Sequence, residues 1–310
     1  MLRDFADLVG RDDPVCAVGG RTQWSLGGLP TPGTREVVAP QGVVAHEPAE
    51  MVVRVRAATT VAQLSSVLAQ SGQMVPLDAE WPEQATIGGV LAAGLSGRRR
   101  LRYGPVRDTL LEAHFVSAAG RLVKAGGPVV KNVSGYDLCR LLVGSLGTLG
   151  ILAEVVLRCQ PVPARSQWYR LPDADPFDLA ARLYRASAIL WDGEVTSVLL
   201  EGDPGDVADQ ARSVLGSGAA EADGPPDRRP SRRLSLGAGQ IRRLGRAEAA
   251  GAWLAEVGVG TVHADEPERV ASALGIDWPP RPALGVAELN LAVKARFDPG
   301  GRLNPGRSVL

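Results

Sequence analysis

The chain has 310 residues, of which 45% are hydrophobic, enough to bury the core of one large domain or two modest ones. Lys and Arg together number 34, as do Asp and Glu, so the formal net charge is zero. The sequence therefore lacks the positive field that favours nucleic acid or an acidic membrane surface, and its 5% aromatic content argues against base-stacking surfaces.

The N-terminal third predicts a compact β–α–β unit. A short apolar strand over 15–18 ends in paired glycines, and a longer strand follows over 51–58. Thr59 or Thr60 then caps a helix, because three apolar residues follow at helical spacing on one face: Val61, Leu64 and Leu68. Residues 73–77 return as a strand.

The remaining two thirds of the sequence predict a β-hairpin, followed by a segment of different amino-acid composition. Segments 112–117 and 122–125 flank a turn, residues 137–143 form a short helix with Leu138, Leu141 and Leu142 facing inward, and 151–159 form a strand. After Pro163 the chain is richer in Ala, Arg and Asp. There, the pattern predicts a loop over 202–233, an amphipathic helix over 247–257 and a helix opening the segment 288–310.

The cysteines and histidines indicate neither a disulfide framework nor a metal site. Cys16, Cys139 and Cys159 lie far apart without a Cys-x-x-Cys pair, so we expect buried thiols in a reducing compartment. The histidines do not cluster either. Because residues 1–10 contain no long apolar run, we expect neither a signal peptide nor direct membrane insertion, and a cytoplasmic location with any inner-membrane contact made through partners.

A first motif lies at 17–22. A strand that ends in Gly19-Gly20 and continues into Arg21 and Thr22 can wrap its backbone N–H groups around a phosphate, because glycine permits close backbone approach. The alternative is an ordinary turn.

A second motif begins at Thr86, where Gly88 and Gly89 open a helix and could offer free N–H groups to a pyrophosphate. Small or polar residues follow: Ala93, Gly94, Ser96, Gly97, Tyr103, Gly104 and Asp108. They could let a flat ligand lie close to the backbone, although tight helix packing would also require small side chains.

A third motif comprises 131–138 (Lys-Asn-Val-Ser-Gly-Tyr-Asp-Leu) and the glycine-rich stretch 144–152, which includes Gly147 and Ile151. Ordinary packing rarely needs so many glycines around one short helix, which indicates close approach by a cofactor or by other backbone. The spacing is not the Gly-x-Gly-x-x-Gly of a dinucleotide fold, and a P-loop is absent. Enzymes using nicotinamide or ATP are therefore disfavoured.

Together these motifs resemble the FAD-binding domain shared by vanillyl-alcohol oxidase, D-lactate dehydrogenase and glycolate oxidase, known as the PCMH type. Residues 131–152 are similar to the family signature Lys-Asn-x-x-Gly-Tyr-Asp-Leu-x-x-Leu-x-x-Gly-Ser-x-Gly-x-Leu-Gly, and 297–307 to its Asp-Pro-x-x-x-x-Asn-Pro-Gly ending. Within the family, the short loop at 19–22 and the Gly-Gln-Met at 72–74 resemble the E-subunit group of glycolate oxidases. The resemblance covers roughly 15–163 and 288–310.

The resemblance implies an α+β fold. A PCMH-type FAD-binding domain over 1–163, built of two α/β subdomains (about 1–78 and 79–163), would be followed by a short α/β cap over 164–285 and a C-terminal return over 286–310. Carried over motif by motif, the pyrophosphate would be held at Gly19, Gly20, Thr22, Gly88 and Gly89. Gly94, Ser96, Gly147 and Ile151 would line the rest of the groove, and Asn304 would lie near the flavin ring. Arg21, Thr86, Ala93, Gly97, Tyr103, Gly104 and Asp108 complete the expected cofactor-binding set.

The resemblance also implies a function. Some family members attach FAD through His or Cys, but neither residue occurs in the loop at 19–22, so we expect non-covalent FAD. The cap lacks the histidine cluster of members that oxidise 2-hydroxy acids. We therefore expect the FAD-binding subunit of a glycolate oxidase-type complex, which serves either flavin-mediated oxidation of a small 2-hydroxy acid or electron transfer within the complex. A larger flavin subunit and an iron–sulfur subunit would be its partners. Two alternatives are a stand-alone FAD oxidase or dehydrogenase and a non-catalytic structural subunit. The sequence assigns no catalytic base.

Overall fold

The computed structural model describes residues 1–127, 137–216, 218–226, 232–247, 251–280 and 284–308. The chain divides into two compact units. Unit 1 comprises Met1–Gly97, Pro105–Val162 and Pro282–Leu310, and unit 2 comprises Arg98–Gly104 and Pro163–Arg281. Each unit combines helices with a largely antiparallel sheet, which confirms the α+β class.

The helices and strands of the described residues are numbered in chain order. The helices are α1 (Leu2–Val9), α2 (Val61–Ala69), α3 (Ile87–Ala93), α4 (Arg100–Tyr103), α5 (Leu138–Leu142), α6 (Pro176–Arg182), α7 (Pro204–Gln210), α8 (Ala238–Leu244), α9 (Pro267–Leu274) and α10 (Val286–Phe297). The strands are β1 (Val15–Ala17), β2 (Arg35–Val37), β3 (Val43–Glu47), β4 (Val52–Arg56), β5 (Gln73–Met74), β6 (Leu110–Val116), β7 (Leu122–Gly126), β8 (Ile151–Arg158), β9 (Gln160–Pro161), β10 (Arg165–Pro172), β11 (Ala188–Trp191), β12 (Val195–Gly202), β13 (Ala220–Ala222), β14 (Arg232–Ser235), β15 (Trp253–Glu256) and β16 (Thr261–Ala264).

Unit 1 is built on an antiparallel sheet with the strand order β3-β4-β8-β6-β7. The expected hairpin is present as β6 and β7. In β4, Val53 and Val55 are fully buried whereas Arg54 and Arg56 point the other way, as the period of a strand requires. The helices α2, α3 and α5 contribute to the same core.

Helix α2 begins where the sequence places it. Thr60 is the N-cap, and a reciprocal capping box joins its side chain and backbone to Gln63. The three apolar residues predicted to share a face, Val61, Leu64 and Leu68, are all buried in the core of unit 1. Local sequence therefore determined this element.

A second layer of unit 1 joins the two ends of the chain. The strands β1 and β2 pair in parallel, and Leu303 forms a bridge with Val15 of β1. Helix α1 packs its Phe5 and Val9 into the same small core. The segment after α10 therefore lies beside the strand that leads into the first glycine motif.

Unit 2 contains, among the residues that the structure describes, a sheet of seven strands in the order β13-β10-β12-β11-β15-β16-β14. The helix predicted over 247–257 is wrong for its described part, because Trp253–Glu256 is the strand β15 between β11 and β16. All four residues of β15 are buried. A strand covered on both faces shows no alternation, and a short apolar run of this kind is easily taken for a helix.

The loop predicted over 202–233 is wrong for much of its described part, although 218–219 and 223–226 lie outside helices and strands as expected. Asp203 caps α7, which begins at Pro204 and continues into a π-helical turn over Ala211–Leu215. Strand β13 follows, and β14 begins at Arg232. Asp203 and Pro204, which suggested a turn, act here as the N-cap and the first-turn proline of α7, and Gly216 ends the π-helical turn.

Helix α5 corrects one expectation about the core. Leu142 is 1% exposed and Leu138 is partly buried, but Leu141 is 40% exposed, and Cys139 takes the inward position instead. In the described parts of the chain, we find no helix with both the length and the apolar character needed to cross a bilayer.

The cysteines are free thiols, and all three are buried. Burial raises the pKa of Cys139 and of Cys159 from 9.0 to about 11. Because the unfolded thiols ionise near pH 9 while the folded ones stay protonated, the stabilising difference is complete below pH 9 and is lost as the pH rises to about 11. We therefore expect the free energy of unfolding to fall across this range, measured as urea midpoints at several pH values.

The variant Cys159→Ala provides the control for this pH dependence. It removes one thiol whose pKa is raised by burial alone, so its stability is expected to fall less steeply with pH than that of the wild type. Equal slopes for the two proteins would show that other groups cause the loss.

Candidate functional site

A cleft in unit 1 brings the glycine motifs together with the C-terminal segment. The space between its walls is about 890 Å³ when the open solvent at its mouth is included. Most of the residues that the sequence singled out line it: Gly19, Gly20, Arg21, Thr22, Thr86, Gly88, Gly89, Ala93, Gly147, Ile151 and Asn304. The tertiary structure thus assembles motifs that lie far apart in the chain.

The loop after β1 supplies free hydrogen-bond donors to this cleft. Val18 N–H donates to Val37 O and Trp24 N–H donates to Arg21 O. In the described structure, the N–H groups between them, from Gly19 to Gln23, donate to no protein acceptor. Arg21 has a φ of 56°, so the chain turns sharply there. Successive unpaired N–H groups at such a turn form a concavity that suits an anion.

The glycines of this loop are required by packing as well as by any ligand. A Cβ atom on Gly20 would overlap Gln84 O and lie 2.5 Å from Gln84 C. A Cβ atom on Gly19 would overlap Thr86 Oγ1. The loop therefore lies directly on the segment that leads into α3, and this contact fixes the position of its free N–H groups.

At the start of α3, the N–H groups of Gly88 and Gly89 are not free, in contrast to the expectation from the sequence. Thr86 is the N-cap and accepts from Gly89 N–H at 3.2 Å, while Gly88 N–H donates to Ala57 O at 2.8 Å. Both N–H groups are therefore already used by the protein. A Cβ atom on Gly88 would lie 2.8 Å from Ala57 Cβ, so this glycine serves the close packing of α3 on the end of β4.

Several of the predicted site residues do not line the cleft. A Cβ atom on Gly94 would lie 2.6 Å from Gly144 Cα, and one on Gly97 would overlap the side chain of Asp78. Ser96 Oγ accepts from Val106 N–H at 3.0 Å, and Asp108 lies 3.5 Å from Arg140. These residues join neighbouring segments of unit 1. Tyr103 and Gly104 belong to unit 2.

The third motif reaches the cleft through its glycine-rich half. Ser145, Leu146, Gly147 and Gly150 line it, whereas 131–136 lie outside the described residues. Gly147 has a φ of 72°, and a Cβ atom there would overlap Asn304 Nδ2. The glycine at this position therefore lets the C-terminal segment approach.

Asn304 joins two of the cleft loops. The residue is 4% exposed; Nδ2 donates to Leu146 O at 2.6 Å, and Oδ1 accepts from Ala17 N–H at 3.2 Å. Through these bonds a residue near the C-terminus holds the strand before the first glycine motif against the glycine-rich loop.

A buried carboxylate positions the segment that carries Asn304. Asp298 accepts from Lys294 Nζ at 2.5 Å, from Leu303 N–H at 2.8 Å and from Arg302 N–H at 3.1 Å. Lys294 Nζ also donates to Thr148 O at 2.8 Å. The Asp-Pro-Gly-Gly turn is thereby fixed to α10 and to the third motif.

Sequence reasoning missed several lining residues. Trp24 and Arg307 are the largest of them, and the others are Ala17, Val18, Gln23, Ala39, Ala57, Ala58, Ala92, Leu142, Ser145, Leu146, Gly150 and Leu152. Arg307 directly follows the Asn-Pro-Gly motif, and this adjacency was the available signal. The sequence gave no signal for Ala57 and Ala58, because they lie in an ordinary connection between the strand β4 and the helix α2.

The cleft is neutral or basic along its described lining. No Asp, Glu, Lys or His is among the residues that form it there. His46 bonds to Gln73, His114 to Glu112 and His263 to Glu256. The described residues contain no group of three His, Cys, Asp or Glu side chains arranged to hold a metal ion.

Comparison with known proteins gives matches along much of the chain. Residues 6–126 match the family model of the FAD binding domain. The chain is 34% identical to glycolate oxidase subunit GlcE of Escherichia coli (strain K12) over 230 residues, 70% of this chain and 63% of that protein. It is 41% identical to glycolate oxidase subunit GlcD of Bacillus subtilis (strain 168) over 92 residues, 30% of this chain and 20% of that protein. It is 35% identical to D-lactate dehydrogenase of Archaeoglobus fulgidus over 149 residues, 48% of this chain and 33% of that protein.

The chain spans less than two thirds of the length of these curated relatives. Among solved structures, alkyldihydroxyacetonephosphate synthase matches with a TM-score of 0.74 at 14% identity, over 97% of this chain and 75% of that one. At this identity the likeness concerns the fold alone, and the mixed helix and sheet fold agrees with the class expected from the sequence.

Proposed function

Because residues 6–126 are an FAD-binding domain and the chain has the PCMH-type fold, we propose that it is the FAD-binding subunit of a glycolate oxidase-type oxidoreductase complex. The observation that carries the proposal is the cleft, where loops from three separate motifs surround a row of unpaired N–H groups. Gly19, Arg21 and Gln23 are exposed, so these N–H donors are open to an anion that enters the cleft.

The residues of the cleft fit an extended dinucleotide. The N–H groups of Gly19, Gly20 and Thr22 would hold the diphosphate, and the helix α3 behind them supports the loop through Thr86. Ala57, Ala58, Leu146 and Leu152 offer apolar surface along which flat rings can lie without water. Asn304 would lie near the flavin ring. When bound, FAD would supply hydride and electron transfer, and the protein supplies binding and orientation.

FAD would be held without a covalent bond. No His, Cys or Tyr side chain is among the residues that line the described cleft. Cys16 is close in sequence, but it is fully buried in β1, and burial raises the pKa of its thiol. A protonated, buried thiol is a poor nucleophile.

The substrate and partners follow from the relatives. GlcE and GlcD are named as two subunits of glycolate oxidase, and other relatives are D-lactate dehydrogenases, so the substrate class is a small 2-hydroxy acid. A larger flavin subunit would carry out its oxidation, and an iron–sulfur subunit would accept the electrons. We assign no catalytic base to this chain.

The proposal is tested by the absorption spectrum of the purified chain before and after acid precipitation. A flavin band that leaves the pellet on acid treatment is the expected result. Colour retained in the pellet would mean a covalent link, and no flavin after addition of FAD would overturn the proposal. Turnover of glycolate or D-lactate by the isolated chain, with an artificial acceptor, would assign the oxidation to this subunit instead of its partner.

A further inference from the structure

The described cleft lining contains two cationic side chains, Arg21 and Arg307, and no carboxylate. Their charges are compensated differently. Arg21 forms an ion pair with Glu36 at 2.6 Å, and Glu36 does not line the cleft. For Arg307, no carboxylate lies within ion-pair distance in the described chain. The uncompensated positive charge of the cleft therefore belongs to Arg307.

The guanidinium of Arg307 is fixed to the loop that carries the free N–H groups. It donates to Trp24 O at 2.8 Å and to Leu26 O at 2.9 Å, and its central carbon lies 4.6 Å from the centroid of the Trp24 ring. Two of its five N–H donors are used by these carbonyl oxygens. Because Trp24 directly follows Gly19–Gln23 and Leu26 lies two residues further on, the cation is tied to the same loop that carries the free N–H groups.

The carbonyl oxygens and the Trp24 ring contact the guanidinium of Arg307, but none of them carries the negative charge that would neutralise it. A partly buried cation without a counter-ion is costly, whereas an anion beside it would remove that cost. Backbone N–H groups with an arginine are a common combination for phosphate, because both donate to its oxygens. A ligand with two adjacent phosphates would meet both kinds of donor at once.

We propose that Arg307 is a binding residue for the diphosphate of the cofactor, supplied by the C-terminal segment to the N-terminal loop. This inference rests on the proposed function for the identity of the cofactor, and it adds a charged contact that the glycine motifs do not contain. The Asn-Pro-Gly ending would then have two roles. Asn304 joins the strand before the first motif to the glycine-rich loop of the third, and Arg307 would neutralise the negative charge of a diphosphate bound beside them.

The test compares Arg307→Gln with Arg307→Lys in the full-length apoprotein. Gln keeps a donor for the carbonyls of Trp24 and Leu26 but loses the charge, whereas Lys keeps the charge. We expect Arg307→Gln to weaken FAD and ADP about 10- to 100-fold, the loss typical of one charge-assisted hydrogen bond. Arg307→Lys should retain most of the wild-type affinity for FAD and ADP. Adenosine, which has no phosphate, should bind all three proteins alike, and the wild-type affinity for ADP should fall more steeply with salt than that of Arg307→Gln.

The matched control is Arg121→Met, which removes an exposed arginine of the same unit that does not line the cleft. It should leave every affinity unchanged. Equal losses for ADP and adenosine, or equal losses in the Gln and Lys variants, would assign Arg307 a structural role and overturn the inference. Unchanged FAD binding in Arg307→Gln would also overturn it. If the wild type itself bound no FAD, the proposed function would fail first, so the two failures are distinguishable.

Discussion

Replacement of Gly20 by alanine is expected to abolish FAD retention and to destabilise unit 1. The added Cβ would overlap the backbone oxygen of Gln84 and lie 2.5 Å from its carbonyl carbon and 3.3 Å from Ala85 N. All of these atoms are backbone, so no side-chain rotation can relieve the overlap. The loop must move away from α3, and the free N–H groups move with it. Each lost hydrogen bond to a charged oxygen weakens binding by about 1.5–3 kcal/mol, so the affinity for FAD should fall at least about 100-fold.

The measurement is the dissociation constant for FAD together with the urea midpoint of the apoprotein. Gly300→Ala is the matched control, because no heavy atom lies within 4 Å of its added Cβ and its backbone is not left-handed. This variant should bind FAD as the wild type does. Normal binding by Gly20→Ala would mean that the loop is not the diphosphate site.

Replacement of Asp298 by alanine is expected to lower the free energy of unfolding by about 3–5 kcal/mol, as when one partner of a buried ion pair is removed. The carboxylate is fully buried and accepts from Lys294, Arg302 and Leu303. Alanine would leave the ammonium of Lys294 without a counter-ion and two backbone N–H groups without acceptors. Asn304 lies six residues beyond, so the contact between the first and third motifs should weaken as well, and FAD affinity should decrease.

Urea unfolding of the apoprotein measures this loss, and the FAD dissociation constant measures its effect on the cleft. Asp298→Asn should lie between the wild type and Asp298→Ala, because the amide oxygen can still accept one N–H but carries no charge. Asp12→Ala removes a carboxylate that is 85% exposed and should change stability by less than about 0.5 kcal/mol. If Asp298→Ala were as stable as Asp12→Ala, the Asp-Pro-Gly-Gly turn would not depend on this carboxylate.

The sequence alone determined the elements that are stabilised locally. The capping box of Thr60 and Gln63, the hairpin of β6 and β7 and the buried face of α2 all depend on residues a few positions apart. The motifs also predicted an FAD-binding domain, and residues 6–126, which contain the first two motifs, match the model of that family.

Sequence reasoning failed where distant partners decide the structure of a segment. Strand β15 was taken for a helix because both of its faces are covered by other parts of unit 2, so it has no alternation to read. The segment over 202–233 was taken for a loop because Asp203 and Pro204 resemble turn residues, yet at the start of a helix they are a cap and a first-turn proline.

The sequence motifs predicted which loops line the cleft, but they did not predict what each residue of those loops contacts. Gly19, Gly20 and Gly88 are glycines because other protein atoms occupy the place of a Cβ, and the N–H of Gly88 is already bound to Ala57 O. The unpaired N–H groups at 19–23 and the uncompensated charge of Arg307 became visible only in three dimensions. Asn304 reaches Ala17 across 287 positions of the chain, and Arg307 reaches Trp24 across 283. Hydrogen bonds and charge compensation depend on distance in space, so a motif can name the residues of a site while only the folded chain decides which of their donors remain for a ligand.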